Sequence, residues 1–535
     1  MACMKPGDVL LLSGNEAIAR GAWESDISVC TGYPGTPSTE ILETITAEYQ
    51  ELYTEWSVNE KVALEVGIGA ALAGARALVT MKHVGVNVAA DPLFTSSYVG
   101  TKGGLVIVTA DDPAMHSSQI EQDSRHYAVG AKLPMLEPSD SQEAKDFVKE
   151  AILLSEKYDT PVFLRTTTRI SHSRSVVEIG EQSASTILKG FERDIQKYVM
   201  IPAFAGKRHV AVETRIKQMA QAANTLSLNR TELQDTSVGF ITSGICYAYV
   251  REAFPDASVL KLGMVYPFPD DLIRDLCAKV KSVYVVEELD PHIELHVKSL
   301  GLEVHGKDVL PNVGEFDPDM IQRAVTGKSP AASISIPITI PNRPPSLCPG
   351  CPHCKVFSLL NRLGVYVTGD IGCYTLGALP PYSAIDTCID MGASVTVAQG
   401  IEIAEGKNHR RNVVAVIGDS TFAHSGITGL LNAAYNQRNT LVIVLDNGTT
   451  AMTGMQPNPL SGETIRGNRT VSLDYLKLAQ AIGISDENVR IVDAYNEKEL
   501  EEAITDLLGK SGVSLLIAKG LCVILQKRKE RPRHV

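Results

Sequence analysis

Residues 413–448 read VVAVIGDSTFAHSGITGLLNAAYNQRNTLVIVLDNG. Two runs of aliphatic and β-branched residues, each typical of a buried strand, flank a longer segment with helical character. A strand–helix–strand unit of this kind places its two strands parallel in one sheet. Asp419 and Asn447, which follow the two runs, are therefore expected to meet at one edge of that sheet.

The same alternation of strands and helices extends over most of the chain. Strand-like runs occupy residues 9–13, 27–31, 77–81, 105–110 and 161–165 near the N-terminus. We predict an α/β protein with two doubly wound parallel-sheet domains and a smaller α/β domain. The predicted segments are a first doubly wound domain (1–185), a connecting segment (186–235), the smaller domain (236–329), a Pro-rich linker (330–345), a second doubly wound domain (346–525) and a basic tail (526–535).

Composition excludes several classes of protein. Of 535 residues, 44% are hydrophobic and 21% charged, which excludes a disordered or coiled-coil chain. The net charge of −12 argues against binding to nucleic acid or an acidic membrane. Without an apolar run of membrane-spanning length or a signal peptide, we expect a cytoplasmic protein. The basic tail is either a solvated terminus or a docking site for an acidic redox partner.

The two strand ends of residues 413–448 offer ligands for a hard cation. Asp419 supplies a carboxylate, Asn447 an amide oxygen and Thr449 a backbone carbonyl, the donors that Mg²⁺ takes in proteins. Gly418 and Ser420 flank the carboxylate at a helix start, where backbone N–H groups bind phosphate. Either segment alone is typical of an ordinary turn. Together they resemble the thiamine diphosphate signature, from which Ser420 departs because the signature has Gly there.

Thiamine catalysis also needs a carboxyl group that shares a proton with the aminopyrimidine ring of the cofactor. Glu60 is our candidate, because it opens a small-residue helix at residues 59–77. The alternative is an ordinary first-turn glutamate that complements the helix dipole. Glu65 is the competing candidate.

Cysteines cluster in the sequence CPGCPHC at residues 348–354, and further cysteines stand at 373 and 522. The Cys-x-x-Cys pair at the start of the cluster predicts a metal centre, zinc or iron–sulfur, or else dithiol chemistry. Cys373 and Cys522 would complete a set of four ligands. His353 and Cys354 offer a rival set, and Cys354 is otherwise a free thiol.

Several long segments resemble one family, the 2-oxoacid:ferredoxin oxidoreductases, and most closely its indolepyruvate-type large (alpha) subunits. They are TGYPGTPSTE (31–40), EWSVNEKVALEVGIGAALAGARALVTMKHVGVNVAADPL (55–93), DDPAMHSSQIEQDSR (111–125), CPGCPH (348–353), GDIGCYTLG (369–377), GDSTFAHSGITGLLNAAYN (418–436) and DNGTTAMTGMQPNP (446–459). They span nearly the whole chain in the order of the family.

The resemblance implies a pyrimidine-binding domain first, a transketolase C-terminal-like domain second and a diphosphate-binding domain third. It implies that Glu60 activates the cofactor and that Thr36 faces the substrate carboxylate, for which a helix N-cap is the alternative. Arg125 would pair with the same carboxylate, unless it is a plain surface arginine. The implied ligands of one 4Fe–4S cluster are Cys348, Cys351, Cys373 and Cys522.

The implied activity is thiamine diphosphate- and Mg²⁺-dependent oxidative decarboxylation of a 2-oxoacid, in particular an aryl pyruvate, to an acyl-CoA and carbon dioxide. Electrons would pass through the cluster to ferredoxin or another carrier. The family implies a small beta subunit as partner and a dimer of heterodimers. Such alpha subunits usually continue into a ferredoxin-like module, whereas this sequence stops at Val535. The alternatives are a non-oxidative thiamine-dependent decarboxylase or lyase, and a non-catalytic subunit with structural zinc.

Overall fold

The computed structural model describes residues 5–183, 190–328, 341, 343–406 and 412–530. Contacts divide the chain into two compact units, one formed by the described residues up to 328 and one by those from 341 onward. Most of the predicted linker (330–340 and 342) and the last part of the predicted basic tail (531–535) lie outside the described residues. The first unit contains both the first predicted domain and the smaller one, and the second unit contains the last.

Thirteen strands and fourteen α-helices are described in the first unit. The strands are β1 (Val9–Ser13), β2 (Val29–Gly32), β3 (Tyr53–Trp56), β4 (Ala77–Lys82), β5 (Leu105–Asp111), β6 (Met135–Leu136), β7 (Val162–Thr167), β8 (Arg174–Glu178), β9 (Arg230–Glu232), β10 (Asp235–Ser243), β11 (Ala257–Leu262), β12 (Met264–Tyr266) and β13 (Ser282–Val286). The helices are α1 (Gly14–Glu24), α2 (Thr39–Glu48), α3 (Glu60–Leu72), α4 (His83–Val88), α5 (Ala90–Val99), α6 (Arg125–Ala131), α7 (Ser141–Tyr158), α8 (Thr168–His172), α9 (Ile195–Tyr198), α10 (Pro202–Ala223), α11 (Gly244–Ala253), α12 (Asp270–Lys279), α13 (His292–Ser299) and α14 (Pro318–Thr326).

The larger sheet of the first unit has seven strands in the order β12-β6-β7-β5-β4-β2-β3. All pairs in it are parallel except β12 with β6. Every residue of β4 and β5 is buried, as expected for central strands covered on both faces by helices. The predicted α/β class with parallel sheets is confirmed, and the carboxyl ends of β2, β4 and β5 form the edge where an α/β sheet binds ligands.

The smaller sheet has the order β13-β10-β11-β9. Two strands depart from the predicted segments. The segment at 186–235, predicted to connect domains through one helix, contains α10 and also supplies β9 to the edge of this sheet. Strand β12 leaves the smaller sheet and pairs with β6 of the larger one. Both strands have only three residues, and so short a run carries too little alternation for its pairing partner to be read from sequence.

The second unit contains one sheet of six parallel strands in the order β15-β14-β16-β17-β19-β18. Its strands are β14 (Tyr366–Gly369), β15 (Thr387–Cys388), β16 (Val413–Gly418), β17 (Leu441–Asp446), β18 (Val489–Asp493) and β19 (Ser514–Lys519). Its α-helices are α15 (His353–Leu363), α16 (Ala393–Glu405), α17 (Asp419–Thr421), α18 (Ile427–Tyr435), α19 (Tyr475–Ala481), α20 (Glu497–Leu508) and α21 (Val523–Glu530).

A single helical run follows β16. It begins with α17, continues as a π-helical turn at Phe422–Gly426 and ends with α18. π-turns of this kind are frequent at functional sites because they re-aim the residues around them. This run therefore marks the carboxyl edge of the sheet as the place to look for a site.

A search of the described helices for one long and apolar enough to span a membrane found none.

Candidate cofactor and metal sites

Two adjacent strands of the second unit end in the polar residues that the sequence predicted to meet. Strand β16 pairs in parallel with β17, and Gly418 lies opposite Leu445. Asp419 and Asn447 therefore leave the sheet at neighbouring positions. Both are buried, with 2% and 8% of their surfaces exposed. A buried carboxylate and a buried amide at one sheet edge are donors for a hard cation.

The surroundings of Asp419 favour cation binding. Asn458 Nδ2 donates a hydrogen bond of 3.1 Å to Asp419 Oδ2. Burial, and next the negative charge of Asp446, raise the pKa of Asp419 to about 7. A divalent cation at this position would remove that penalty by favouring the ionised carboxylate. The site therefore fits a metal ion, because without one Asp419 is a poorly compensated buried acid.

The loop after β17 folds back against the helix that follows β16. The Thr449 N–H donates to Asn447 Oδ1 at 3.1 Å, and the Thr449 hydroxyl donates to the Gln456 carbonyl at 3.0 Å. The Thr450 hydroxyl donates to Ser420 Oγ at 2.8 Å. These bonds fix the amide of Asn447 and place Ser420 beside the loop, so that serine in place of the glycine of the signature is accommodated.

Four of the predicted cluster ligands line one cavity. Cys348, Cys351, Cys373 and Cys522 all lie on its wall. The first two stand at the ends of a turn in which the Cys351 N–H donates to the Cys348 carbonyl at 3.0 Å. Gly350 at the third position of the turn has φ +78°, which glycine adopts without strain. Residues separated by 174 positions in the chain are thus gathered at one place.

Two of the thiols in this cavity are in an environment that disfavours the thiolate form. Burial raises the pKa of Cys351 to about 12 and that of Cys373 to about 11, and neighbouring thiols add to both shifts. A metal ion deprotonates such thiols when it binds, and the metal–sulfur bonds offset the free-energy cost of burying the thiolates. The donor set therefore fits a thiolate-bound metal centre.

The rival ligands His353 and Cys354 have other partners. His353 is buried, and burial lowers the pKa of its imidazole to about 4, so the ring is neutral. Its Nε2 lies 3.4 Å from Asn447 Nδ2. The Cys354 sulfur lies 3.9 Å from the Cys348 carbonyl, and Cys354 is not on the wall of the cavity. His353 lies on the cavity wall together with Cys373 and Cys522, whereas Cys354 does not, so the geometry favours Cys373 and Cys522 over Cys354.

In the first unit, the structure separates the two glutamate candidates. Glu60 begins α3, whose N-cap Asn59 accepts a hydrogen bond from the Val62 N–H at 3.0 Å. Glu60 is 5% exposed and packs so closely on Gly85 that a Cβ there would lie 2.6 Å from Glu60 Oε1. Glu65 instead lies on the exposed face of α3 and pairs with Lys61. Only Glu60 has the buried position that the catalytic role requires.

Thr36 lies in the turn between β2 and α2. The N-cap of α2 is Ser38, which makes no side-chain capping bond. Thr36 is therefore not the helix N-cap that the sequence offered as its alternative role. The turn sits at the carboxyl edge of the larger sheet, where a side chain can face a ligand.

Arg125 lies in a buried ion-pair network, which disfavours the substrate-binding role that the sequence predicted for it. It is 1% exposed, so it is not a surface residue either. Its Nη1 donates to Glu287 at 2.5 Å and its Nη2 to Asp123 at 2.6 Å. Nη2 also donates to the backbone carbonyls of Glu288 and Asp290. Because protein acceptors already bind the guanidinium, a substrate carboxylate would have to break a buried ion-pair network.

We predict that Arg125→Met lowers the free energy of unfolding of the first unit by about 3–5 kcal/mol, because it leaves buried carboxylates without a counter-charge. Urea denaturation measures this loss. The matched control is Arg174→Met, which removes an exposed pair with Glu16 and should cost less than about 1 kcal/mol. A stable Arg125→Met protein with a raised KM would return Arg125 to the substrate site.

Sequence reasoning missed Asp370, which follows β14. Its carboxylate accepts hydrogen bonds from the Gly392 N–H (3.1 Å), the Ser394 hydroxyl (2.8 Å) and the Tyr374 hydroxyl. Burial raises the pKa of Asp370 to about 8. Asp370 thus caps the N-terminus of α16 and orders the loop that carries Cys373. The signal was available, because GDIGC repeats the strand-end Gly-Asp of VIGDS.

Comparisons with known proteins bear on both units of the chain. Residues 20–234 match the family model described as pyruvate flavodoxin/ferredoxin oxidoreductase, thiamine diphosphate-binding. Residues 370–518 match that of the thiamine pyrophosphate enzyme, C-terminal TPP binding domain. The chain is similar to the 2-oxoglutarate:ferredoxin oxidoreductase of Magnetococcus marinus, with 17% identity, a TM-score of 0.50, and 61% of this chain and 66% of that one covered. At that identity the likeness concerns the fold alone.

Two curated relatives are much more similar. Indolepyruvate oxidoreductase subunit IorA of Archaeoglobus fulgidus is 42% identical over 98% of this chain and 88% of its own length. The subunit of the same name from Pyrococcus horikoshii is 42% identical over 97% of this chain and 86% of its own. Agreement of this extent covers nearly the whole chain, which therefore belongs to the 2-oxoacid:ferredoxin oxidoreductase family, in its indolepyruvate oxidoreductase branch.

Proposed function

We propose that this protein is the thiamine-binding subunit of an enzyme that oxidatively decarboxylates an aryl 2-oxoacid such as indolepyruvate. One observation carries the proposal. The wall of the four-cysteine cavity includes Asn447, which is also the amide ligand of the candidate magnesium site. A metal centre in that cavity would therefore adjoin the diphosphate end of the cofactor. A metal centre so close to the cofactor could accept the electrons that leave the substrate during oxidation.

The residues divide into four groups by what they would hold. Asp419, Asn447 and the Thr449 carbonyl would bind Mg²⁺ and, through it, the diphosphate. Gly418 and Ser420, at the start of the helical run after β16, would offer backbone N–H groups to the phosphates.

The four cysteines of the cavity would bind one 4Fe–4S cluster. Glu60 would hold the proton that the aminopyrimidine ring of the cofactor exchanges. Bound thiamine diphosphate supplies an acceptor for the electron pair that carbon dioxide leaves behind.

The overall reaction balances with coenzyme A as co-substrate. A 2-oxoacid anion and coenzyme A give an acyl-CoA, carbon dioxide, one proton and two electrons. The solved relative from Magnetococcus marinus was crystallised with 2-oxoglutarate, coenzyme A and succinyl-CoA bound, which supports coenzyme A as the acyl acceptor here. The two electrons would leave one at a time through the cluster to a ferredoxin-type carrier.

The relatives also bear on partners. Their names describe a subunit, so we infer a small beta subunit as partner and a dimer of heterodimers as the assembly. The name indolepyruvate favours an aryl side chain on the substrate.

The test is turnover by the protein purified anaerobically together with its partner subunit. We expect reduction of a low-potential viologen dye that requires both indolepyruvate and coenzyme A, by a protein that contains iron and sulfide. Release of carbon dioxide and an aldehyde without dye reduction would show the non-oxidative decarboxylase instead. Zinc in place of iron, with no carbon dioxide released from any 2-oxoacid, would show a non-catalytic subunit.

A further inference from the structure

A buried lysine stands at the carboxyl edge of the seven-stranded sheet without a carboxylate partner. Lys82 is the last residue of β4 and is 9% exposed. Its ammonium donates to the Ser117 carbonyl, in the loop that follows β5. An ammonium carries three N–H donors, so this bond uses one of them. Among the described residues Lys82 forms no ion pair, although the charge of Asp112 acts on it from farther away.

Most of the other buried cations of this unit are matched by protein acceptors, although Arg165 Nη2 and Arg215 Nε have no hydrogen-bond partner among the described residues. Arg20 and Lys145 pair with Glu24, Arg125 with Asp123 and Glu287, Arg165 with Asp111 and Glu137, and Lys261 with Glu143, while Arg215 donates to two backbone carbonyls. Taking an ammonium out of water costs several kcal/mol unless an opposite charge compensates it. An anion that binds beside Lys82 would supply that compensation.

Lys82 packs against the residue before Thr36 and directly precedes the helix that packs against Glu60. A Cβ on Gly35, next to Thr36, would lie 2.9 Å from Lys82 Cβ and 3.7 Å from its Cδ. The turn that contains Gly35 and Thr36 therefore packs against the aliphatic part of the Lys82 side chain. Helix α4 starts at the residue after Lys82 and presents Gly85 to the Glu60 carboxylate. Lys82, Thr36 and Glu60 thus lie near one another at this edge of the sheet.

We propose that the ammonium of Lys82 binds the carboxylate of the 2-oxoacid substrate, the role that the sequence predicted for Arg125. The inference rests on the proposed function, because that function brings a carboxylate to this edge. Burial lowers the pKa of Lys82 to about 8, so the group is still charged at neutral pH, and a bound carboxylate strengthens that state. Hydrogen bonds between two charged groups are roughly twice as strong as neutral ones.

The test compares an anionic and a neutral ligand on the holoenzyme with its partner subunit. The anionic probe is the methyl acylphosphonate analogue of the aryl pyruvate, and the neutral probe is the corresponding 2-oxoamide. Lys82→Gln shortens the side chain by one atom and keeps an N–H donor but removes the charge. We expect it to raise the dissociation constant of the phosphonate by about 10- to 100-fold while that of the amide changes by less than about 3-fold. Lys82→Arg should keep most of the affinity for the anion.

Several results would overturn the proposal. One is an equal loss of affinity for both probes in Lys82→Gln, and another is no loss for the phosphonate. If Lys82→Gln does not fold, the wild-type protein still tests the proposal. It must bind the phosphonate at least about 10-fold more tightly than the amide, and a smaller preference would overturn the proposal. The control is Lys61→Gln, an exposed lysine of the same unit, which should leave both constants unchanged. Failure of the wild-type enzyme to oxidise any 2-oxoacid would instead refute the proposed function.

Discussion

Replacement of Glu60 by Gln should lower turnover of the 2-oxoacid by about 10²- to 10⁴-fold, the range that a general acid–base group contributes. The amide has nearly the same volume as the carboxyl, so its packing against Gly85 should persist. It cannot take up or release the proton that the aminopyrimidine ring exchanges. Because the proposed diphosphate ligands belong to the second unit, bound thiamine diphosphate should be retained.

Two measurements check this prediction together, the steady-state rate with indolepyruvate and the dissociation constant of thiamine diphosphate in the presence of Mg²⁺. Glu65→Gln is the matched control, since it changes the same residue type five residues further along α3, on the exposed face of the helix. It should leave both values unchanged. A Glu60→Gln enzyme with a near-wild-type rate would remove the proton-transfer role from Glu60. Loss of cofactor with loss of rate would show a binding role instead.

The second large effect concerns the iron–sulfur cluster. Cys522→Ser should cause loss of most of the bound iron and sulfide, because the substitution removes one of four thiolates and serine is a poor ligand for iron. The Cys522 N–H donates to the Asn447 carbonyl at 3.1 Å, a backbone bond that serine retains. The diphosphate site should therefore survive, and thiamine diphosphate binding should be unchanged while reduction of the dye is abolished.

Cys354→Ser supplies the control for this experiment, because Cys354 belongs to the same CPGCPHC sequence but lies away from the cavity wall. It should retain its iron and sulfide. The opposite pattern, with cluster lost in Cys354→Ser and kept in Cys522→Ser, would transfer the fourth ligand to Cys354. Anaerobic iron and sulfide analysis of the two variants decides between them.

Much of the fold could be predicted from local sequence, because central parallel strands are continuous apolar runs. Strands β4, β5, β16 and β17 all lie where such runs predict them. The pairing of short edge strands could not be predicted. Strand β12 joins the larger sheet through contacts such as that of Met264 with Leu136, more than a hundred residues away. No local periodicity records so distant a partner.

The candidate sites divide in the same way. The position of Asp419 beside Asn447 follows from parallel pairing of consecutive strands, which local patterns reveal. The environment of Arg125 could not be predicted from local sequence. Its partner Glu287 directly follows β13 of the smaller sheet, and the two residues meet only when the chain is folded. Lys82 was missed for the complementary reason, since a sequence does not show which buried cation lacks a counter-charge.

The central claim is that a glutamate, a magnesium-bound diphosphate and a sulfur-bound iron centre serve one thiamine cofactor. Electron paramagnetic resonance on the anaerobic holoenzyme tests it most directly, when indolepyruvate is added without coenzyme A or an electron acceptor. The account predicts the signal of a reduced 4Fe–4S cluster that requires thiamine diphosphate and is absent in Glu60→Gln. A cluster that stays oxidised while carbon dioxide is released would contradict it.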